Sequence, residues 1–172
     1  MLIDNTDLYD KVWDTVYKEL HFKPDISYTH SFNSNVPFKI DDDYAVFNVE
    51  KMDDDAIDKM DSIIKNIFID VTKEDERIYA LDWQHSAFLY NPRNEDEQKF
   101  IKAEDTEFFN GEGYNAYFPE FFPDGDYYFF IDENFRFGYL GHPWRQEVWI
   151  FGKLLLDKFE QVYKELGWIK LK

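Results

Sequence analysis

The chain has 172 residues, 36 of them acidic against 19 basic for a formal charge of −17, and it has no cysteine. That length suits one domain over residues 1–172, with enough apolar sequence to bury a core without staples, and the missing thiols exclude a disulfide framework and thiolate chemistry. The charge opposes phosphate backbones and anionic lipid surfaces, so neither a nucleic acid nor a membrane partner is expected, whereas a basic protein would be drawn inward.

No 18-residue apolar run is present, and the start, MLIDNTDLYD, has neither a basic n-region nor a long apolar stretch. The expectation is a cytoplasmic chain with no membrane span. Aromatic residues are the second anomaly, with eighteen Phe and twelve Tyr. Rings fill cores, but Tyr and Trp also serve interfaces, because each has an apolar body and a polar tip.

Residues 6–21 put Tyr9, Val12, Trp13, Val16, Tyr17 and Leu20 at i, i+3, i+4 spacing, which predicts an amphipathic helix. Thr6 reads as its N-cap, Asp7 and Asp10 complement the helix dipole, and Pro24 closes the segment. From 26 to 49 the period changes to two, through ISYTHSF, VPFKI and YAVFNV, with a turn at Asp41-Asp42-Asp43. Helical spacing returns in DDDAIDKMDSIIKNIF, where aspartates lead and Ile57, Met60, Ile63, Ile64 and Ile67 share a face.

IYALDWQHSAFLY, residues 78–90, reads as one long strand. Leu81, Trp83, His85, Ala87 and Leu89 fall on one face, and Asp82, Gln84 and Ser86 on the other. Asn91-Pro92 ends it. Periodicity weakens over 93–121, apart from a helical hint at Glu97–Ile101, and the glycines at 111 and 113 suggest a covering loop. Then Pro123-Asp124-Gly125-Asp126 is turn chemistry, DYYFFID a strand, Glu133-Asn134 a turn, and FRFGYLG and EVWIFG two more strands of a meander. KLLLDKFEQVYKEL closes as a helix whose face carries Leu155, Phe159, Val162, Tyr163 and Leu166, with Gly167 placed to end it. The sum is a single α+β domain: an antiparallel sheet with helices packed mainly on one face.

Gly141-His142-Pro143-Trp144-Arg145 is the sharpest local cluster. An imidazole, a π-face and a guanidinium at a strand connection suit a carboxylate, a phosphate or a flat ligand, while the same residues also suit a rigid structural turn. Asp82, Gln84 and Ser86 form a polar row that either meets solvent or floors a polar pocket. Ser86 and His85 point to opposite faces of a strand, which does not suit a Ser-His-Asp triad, and no G-x-S-x-G elbow exists. Asp124-Gly125-Asp126 begins like a calcium loop, but aromatics follow where acids are needed. His21, His30, His85 and His142 show no H-x-H or H-E-x-x-H spacing, so no metal or cofactor is expected unless residues converge in three dimensions.

Asp82-Trp83-Gln84-His85, Pro123-Asp124-Gly125-Asp126-Tyr127-Tyr128, Gly138 through Trp144, and Phe151-Gly152 together resemble an uncharacterised bacterial family, domain of unknown function 2716. The resemblance covers the C-terminal half, and the N-terminal helix matches loosely. It implies no activity, substrate or catalytic residue.

Small size, strong acidity, surplus aromatics and no assembled catalytic motif favour a cytosolic protein-interaction module, of the immunity type that neutralises a basic toxin. The alternative is a small-ligand binder or enzyme with His85 and His142 in one pocket beside Asp82, Trp144 and Arg145. The candidate partner or ligand residues are accordingly Asp82, Gln84, His85, Asp124, Asp126, His142, Trp144 and Arg145.

Overall fold

A computed structural model of the chain describes residues 1–24, 37–94 and 116–172. The elements in order are α1 (Thr6–Glu19), β1 (Tyr44–Asn48), α2 (Asp54–Val71), β2 (Ile78–Asp82), β3 (Ala87–Tyr90), β4 (Tyr128–Asp132), β5 (Gly138–His142), a 3-10 turn (Pro143–Arg145), β6 (Glu147–Phe151), α3 (Lys153–Val162) and β7 (Ile169–Lys170). The strands form one seven-stranded sheet in the order β3-β2-β4-β5-β6-β1-β7. Every pairing along it is antiparallel. The α+β class and the β4-β5-β6 meander are therefore as the sequence predicts.

Strand alternation divides the core in two. Ala45, Phe47, Ala80, Phe130, Tyr139 and Ile150 pack with Met60, Ile64 and Phe68 of α2 and Leu155 and Phe159 of α3. Val46, Leu81, Phe129, Leu140, Trp149 and Phe151 point the other way, onto Val12, Trp13 and Val16 of α1. Two helices thus cover one face and the third covers the opposite face. Rings dominate both layers: Phe130 lies 4.3 Å from Phe121, and Trp13 meets Phe129 edge-on at 5.9 Å. Each fully buried Phe contributes about 1.5–3 kcal/mol, so the aromatic surplus is largely a core surplus.

Local chemistry refines three boundaries. The N-cap of α1 is Asn5, whose Oδ1 accepts from Leu8 N at 2.9 Å, rather than Thr6. Asp53 caps α2 by accepting from Ala56 N at 2.9 Å, as the leading aspartates predict. α1 ends at Glu19 with Leu20 as its C-cap, and His21 follows at φ 45°.

Residues 78–90 are not one strand but a hairpin. Asp82 N donates to Ser86 O at 2.8 Å and His85 N to Asp82 O at 3.0 Å, and Gln84 takes φ 64° in the turn. ISYTHSF, the Glu97–Ile101 helix and the glycines at 111 and 113 lie outside the described residues, and residues 37–40 form no strand.

The β3 edge is extended by the N-terminal segment: Leu2 bridges Phe88, Ile3 N donates to Ala87 O, and Leu89 N donates to Met1 O. At the other edge β7 is two residues long.

Candidate functional site

Two neighbouring turns at one end of the sheet build the site. The β2–β3 turn supplies Asp82 and His85. The segment before β4 supplies Gly125, at φ 97°, and Asp126. The turns are tied together by the Asp82–Tyr128 pair of the β2–β4 ladder and by Trp83 N donating to Tyr127 O at 3.1 Å. Beside them lies a cleft of about 430 Å³ lined by Asp82, His85, Tyr117, Phe118, Glu120, Gly125, Asp126 and Tyr128.

His85 Nε2 lies 3.3 Å from Asp126 Oδ2. Asp126 Oδ1 is occupied separately, accepting from Tyr127 N at 2.7 Å, which fixes the carboxylate plane. Asp82 is only 7% exposed. Its Oδ1 meets no hydrogen-bond donor among the described residues. One donor atom each from Asp82, His85 and Asp126 falls within 4.8 Å of the others, a spacing at which, among the described residues, these three could share a metal ion.

Electrostatics follow from burial. Desolvation, and then the Asp126 carboxylate, push the Asp82 carboxyl up to about 8. Asp126 is also raised by burial, against hydrogen bonds from Tyr127 N and the neighbouring His85. Burial and then the surrounding carboxylates raise the Tyr128 phenol, which donates to the Asp124 carbonyl at 2.9 Å. The cleft therefore disfavours further negative charge.

The structure brings together three of the sequence-predicted residues: Asp82, His85 and Asp126. The hairpin corrects the strand reading, which puts Asp82 and His85 on opposite faces, because the chain reverses between them. Asp124 and Gln84 are exposed at the tips of the same two turns. His142 does not line the cleft. It is fully buried, with its ring 4.8 Å from Tyr127 on the α1 side of the sheet. The shared His85/His142 pocket is thus not what the geometry assembles.

Around His142, a Cβ on Gly141 would meet Pro123 Cβ at 3.1 Å and Tyr128 O at 3.3 Å. Gln146 Nε2 donates to Pro123 O at 2.9 Å and Pro143 O at 2.7 Å, bracing the connection. Trp144, by contrast, is 41% exposed, and Arg145 is half-buried beside it. Sequence reasoning misses Tyr117, Phe118 and Glu120, for which no periodicity gives a signal, and it reads Tyr128 as a strand residue rather than as part of a site. Ser86 Oγ, donating to Tyr117 O at 2.6 Å, helps to hold the 117–120 segment at the cleft.

Comparison with known proteins adds family but no chemistry. The family described as "Protein of unknown function (DUF2716)" matches residues 4–156, and the chain belongs to it. The match includes α1, beyond the C-terminal half where the resemblance is densest. The uncharacterized protein YxiI of Bacillus subtilis (strain 168) is 28% identical over 154 residues, covering 88% of this chain and 86% of that protein. No solved structure matches significantly.

Proposed function

We propose that this member of the DUF2716 family binds a cationic ligand in the cleft floored by Asp82. One observation carries the reading: a carboxyl 7% exposed, with an oxygen that meets no donor among the described residues, beside a second carboxyl. Burying such a group without a partner costs several kcal/mol, and packing alone would favour an apolar residue. A positive charge entering the cleft supplies the missing interaction. Tyr117, Phe118 and Tyr128 line the same cleft, aromatic rings being groups that attract cations, and the overall charge of −17 concentrates cations around the protein.

The test is calorimetric titration of small amines and guanidinium compounds into wild type and Asp82→Asn. Binding that is lost in the variant supports the reading. Binding unchanged by the variant, or no heat from any cation, overturns it.

The same charge favours a second reading, an immunity-type interaction module in which a basic toxin presents the cationic group as a lysine or arginine side chain. Its test is retention of a basic protein by the tagged chain at low salt and release at high salt. Retention that ignores both salt and acid-to-amide substitutions would rule it out.

A further inference from the structure

We infer that Asp82, His85 and Asp126 form the binding site for one divalent transition-metal ion of the zinc or manganese class. This rests on the cationic-ligand reading and names the cation. A buried acidic pair alone would say little. Here the donors are three, come from two turns held in register by the β2–β4 ladder, and lie within 4.8 Å of one another.

The His85–Asp126 separation of 3.3 Å is that of two donors sharing one tetrahedral ion, since bonds of about 2.0–2.1 Å put their ends about 3.3 Å apart. An ion pair alone would explain that distance, but it would leave Asp82 unexplained. Asp82 lines the same cleft, is more than nine-tenths buried, and has an oxygen with no donor among the described residues. A cation held among the three pairs a positive charge with both carboxylates at once.

The supporting contacts are those that metal sites use. Tyr127 N holds Asp126 Oδ1 at 2.7 Å, turning the other oxygen toward His85. The turn hydrogen bond from His85 N to Asp82 O fixes how far apart those two residues stand. Outer contacts of this kind orient ligands and tune affinity.

Donor chemistry selects the ion. One imidazole with two carboxylates and no thiolate suits zinc or manganese; calcium asks for six to eight oxygens, and magnesium keeps its waters. Three protein donors leave coordination positions open to the cleft, as in sites that act on a ligand rather than sites that only brace a fold.

The experiment uses the full chain, stripped with EDTA and dialysed. Zinc chloride and manganese chloride are titrated separately by calorimetry, with manganese also followed by EPR. Magnesium and calcium serve as comparison ions, and Asp14→Asn, on the exposed face of α1, controls for diffuse acidic binding. The expected result is one ion per chain, with affinity unchanged in Asp14→Asn and weakened about tenfold or more in Asp82→Asn, His85→Ala and Asp126→Asn.

His85 is 58% exposed, so His85→Ala reports on the ion without threatening the fold. Zero stoichiometry, or binding that all three substitutions leave intact, overturns the site. If metals fail while organic cations bind in an Asp82-dependent way, only the metal inference falls. If neither binds, the cationic-ligand reading falls with it.

Discussion

Asp82 on β2 and Tyr128 on β4 are direct cross-strand partners, yet only the tyrosine is satisfied. It donates to Asp124 O at 2.9 Å, while Asp82 Oδ1 meets no donor among the described residues. Replacing Asp82 by Asn removes a penalised buried acid and supplies an amide able to donate to Asp126. Stability should hold or rise by up to about 1 kcal/mol, the trade seen where a residue serves function at the expense of the fold. Urea unfolding with an unchanged slope checks it. A loss above about 2 kcal/mol would make Asp82 a structural residue instead.

The two histidines should separate cleanly. His142→Ala opens a cavity at a fully buried position and should cost about 2–4 kcal/mol, leaving cation binding by the cleft intact. His85→Ala, at an exposed position, should change stability by less than about 0.5 kcal/mol while weakening binding. Unfolding curves and titrations on the same two variants decide. The reverse pattern would move the site to His142.

Acid sensitivity should be set in part by Asp132, which is 1% exposed. Burial pushes its carboxyl upward, but the Arg136 side chain, at 2.9 Å through Nε, and the backbone N–H groups of Arg136 and Asn134 outweigh this and hold it below the usual range. A depressed carboxyl stabilises the fold above its unfolded value of about 3.9 and loses that contribution as pH falls through the lower folded value. Arg136 also pairs with Glu76. Arg136→Ala should therefore cost about 3 kcal/mol at neutral pH and move the acid-unfolding midpoint upward, read by circular dichroism. An unmoved midpoint would refute the assignment.

Gly152→Ala should be among the most damaging single changes. The residue sits at φ 84°, and a Cβ there would lie 2.2 Å from Arg136 O and 2.6 Å from Phe137 Cα. Backbone strain and overpacking together should cost about 3 kcal/mol or more. Gly138→Ala should also destabilise, because its Cβ would lie 2.3 Å from the ring of its cross-strand partner Phe151. Chemical denaturation of both variants tests the pair. Wild-type stability in Gly152→Ala would contradict the packing described.

Helices α1, α2 and α3 and the β4-β5-β6 meander were legible because each buries one face and writes its period into the chain. The β2–β3 hairpin was not, for a geometric reason. Leu81 pairs with Ala87 six positions on, so the two face the same way, as they would in one straight strand. Alternation cannot tell the two apart. The reversal carries no Gly or Pro either, since Gln84 takes the positive φ. That one hidden turn also concealed the site, because only a reversal brings His85 to the side of Asp82. Likewise, the burial of His142 depends on Tyr127 and α1, contacts that no local spacing announces.

The borders of the sheet narrow how a partner could ever attach. On one side the backbone of Met1–Ile3 already bonds to β3, and on the other β7 runs for two residues. Among the described residues neither border presents a long unpaired ladder, so strand addition and self-stacking into fibrils are both discouraged. A binding partner is left to read side chains, at the ends of the strands, rather than to zip onto main chain.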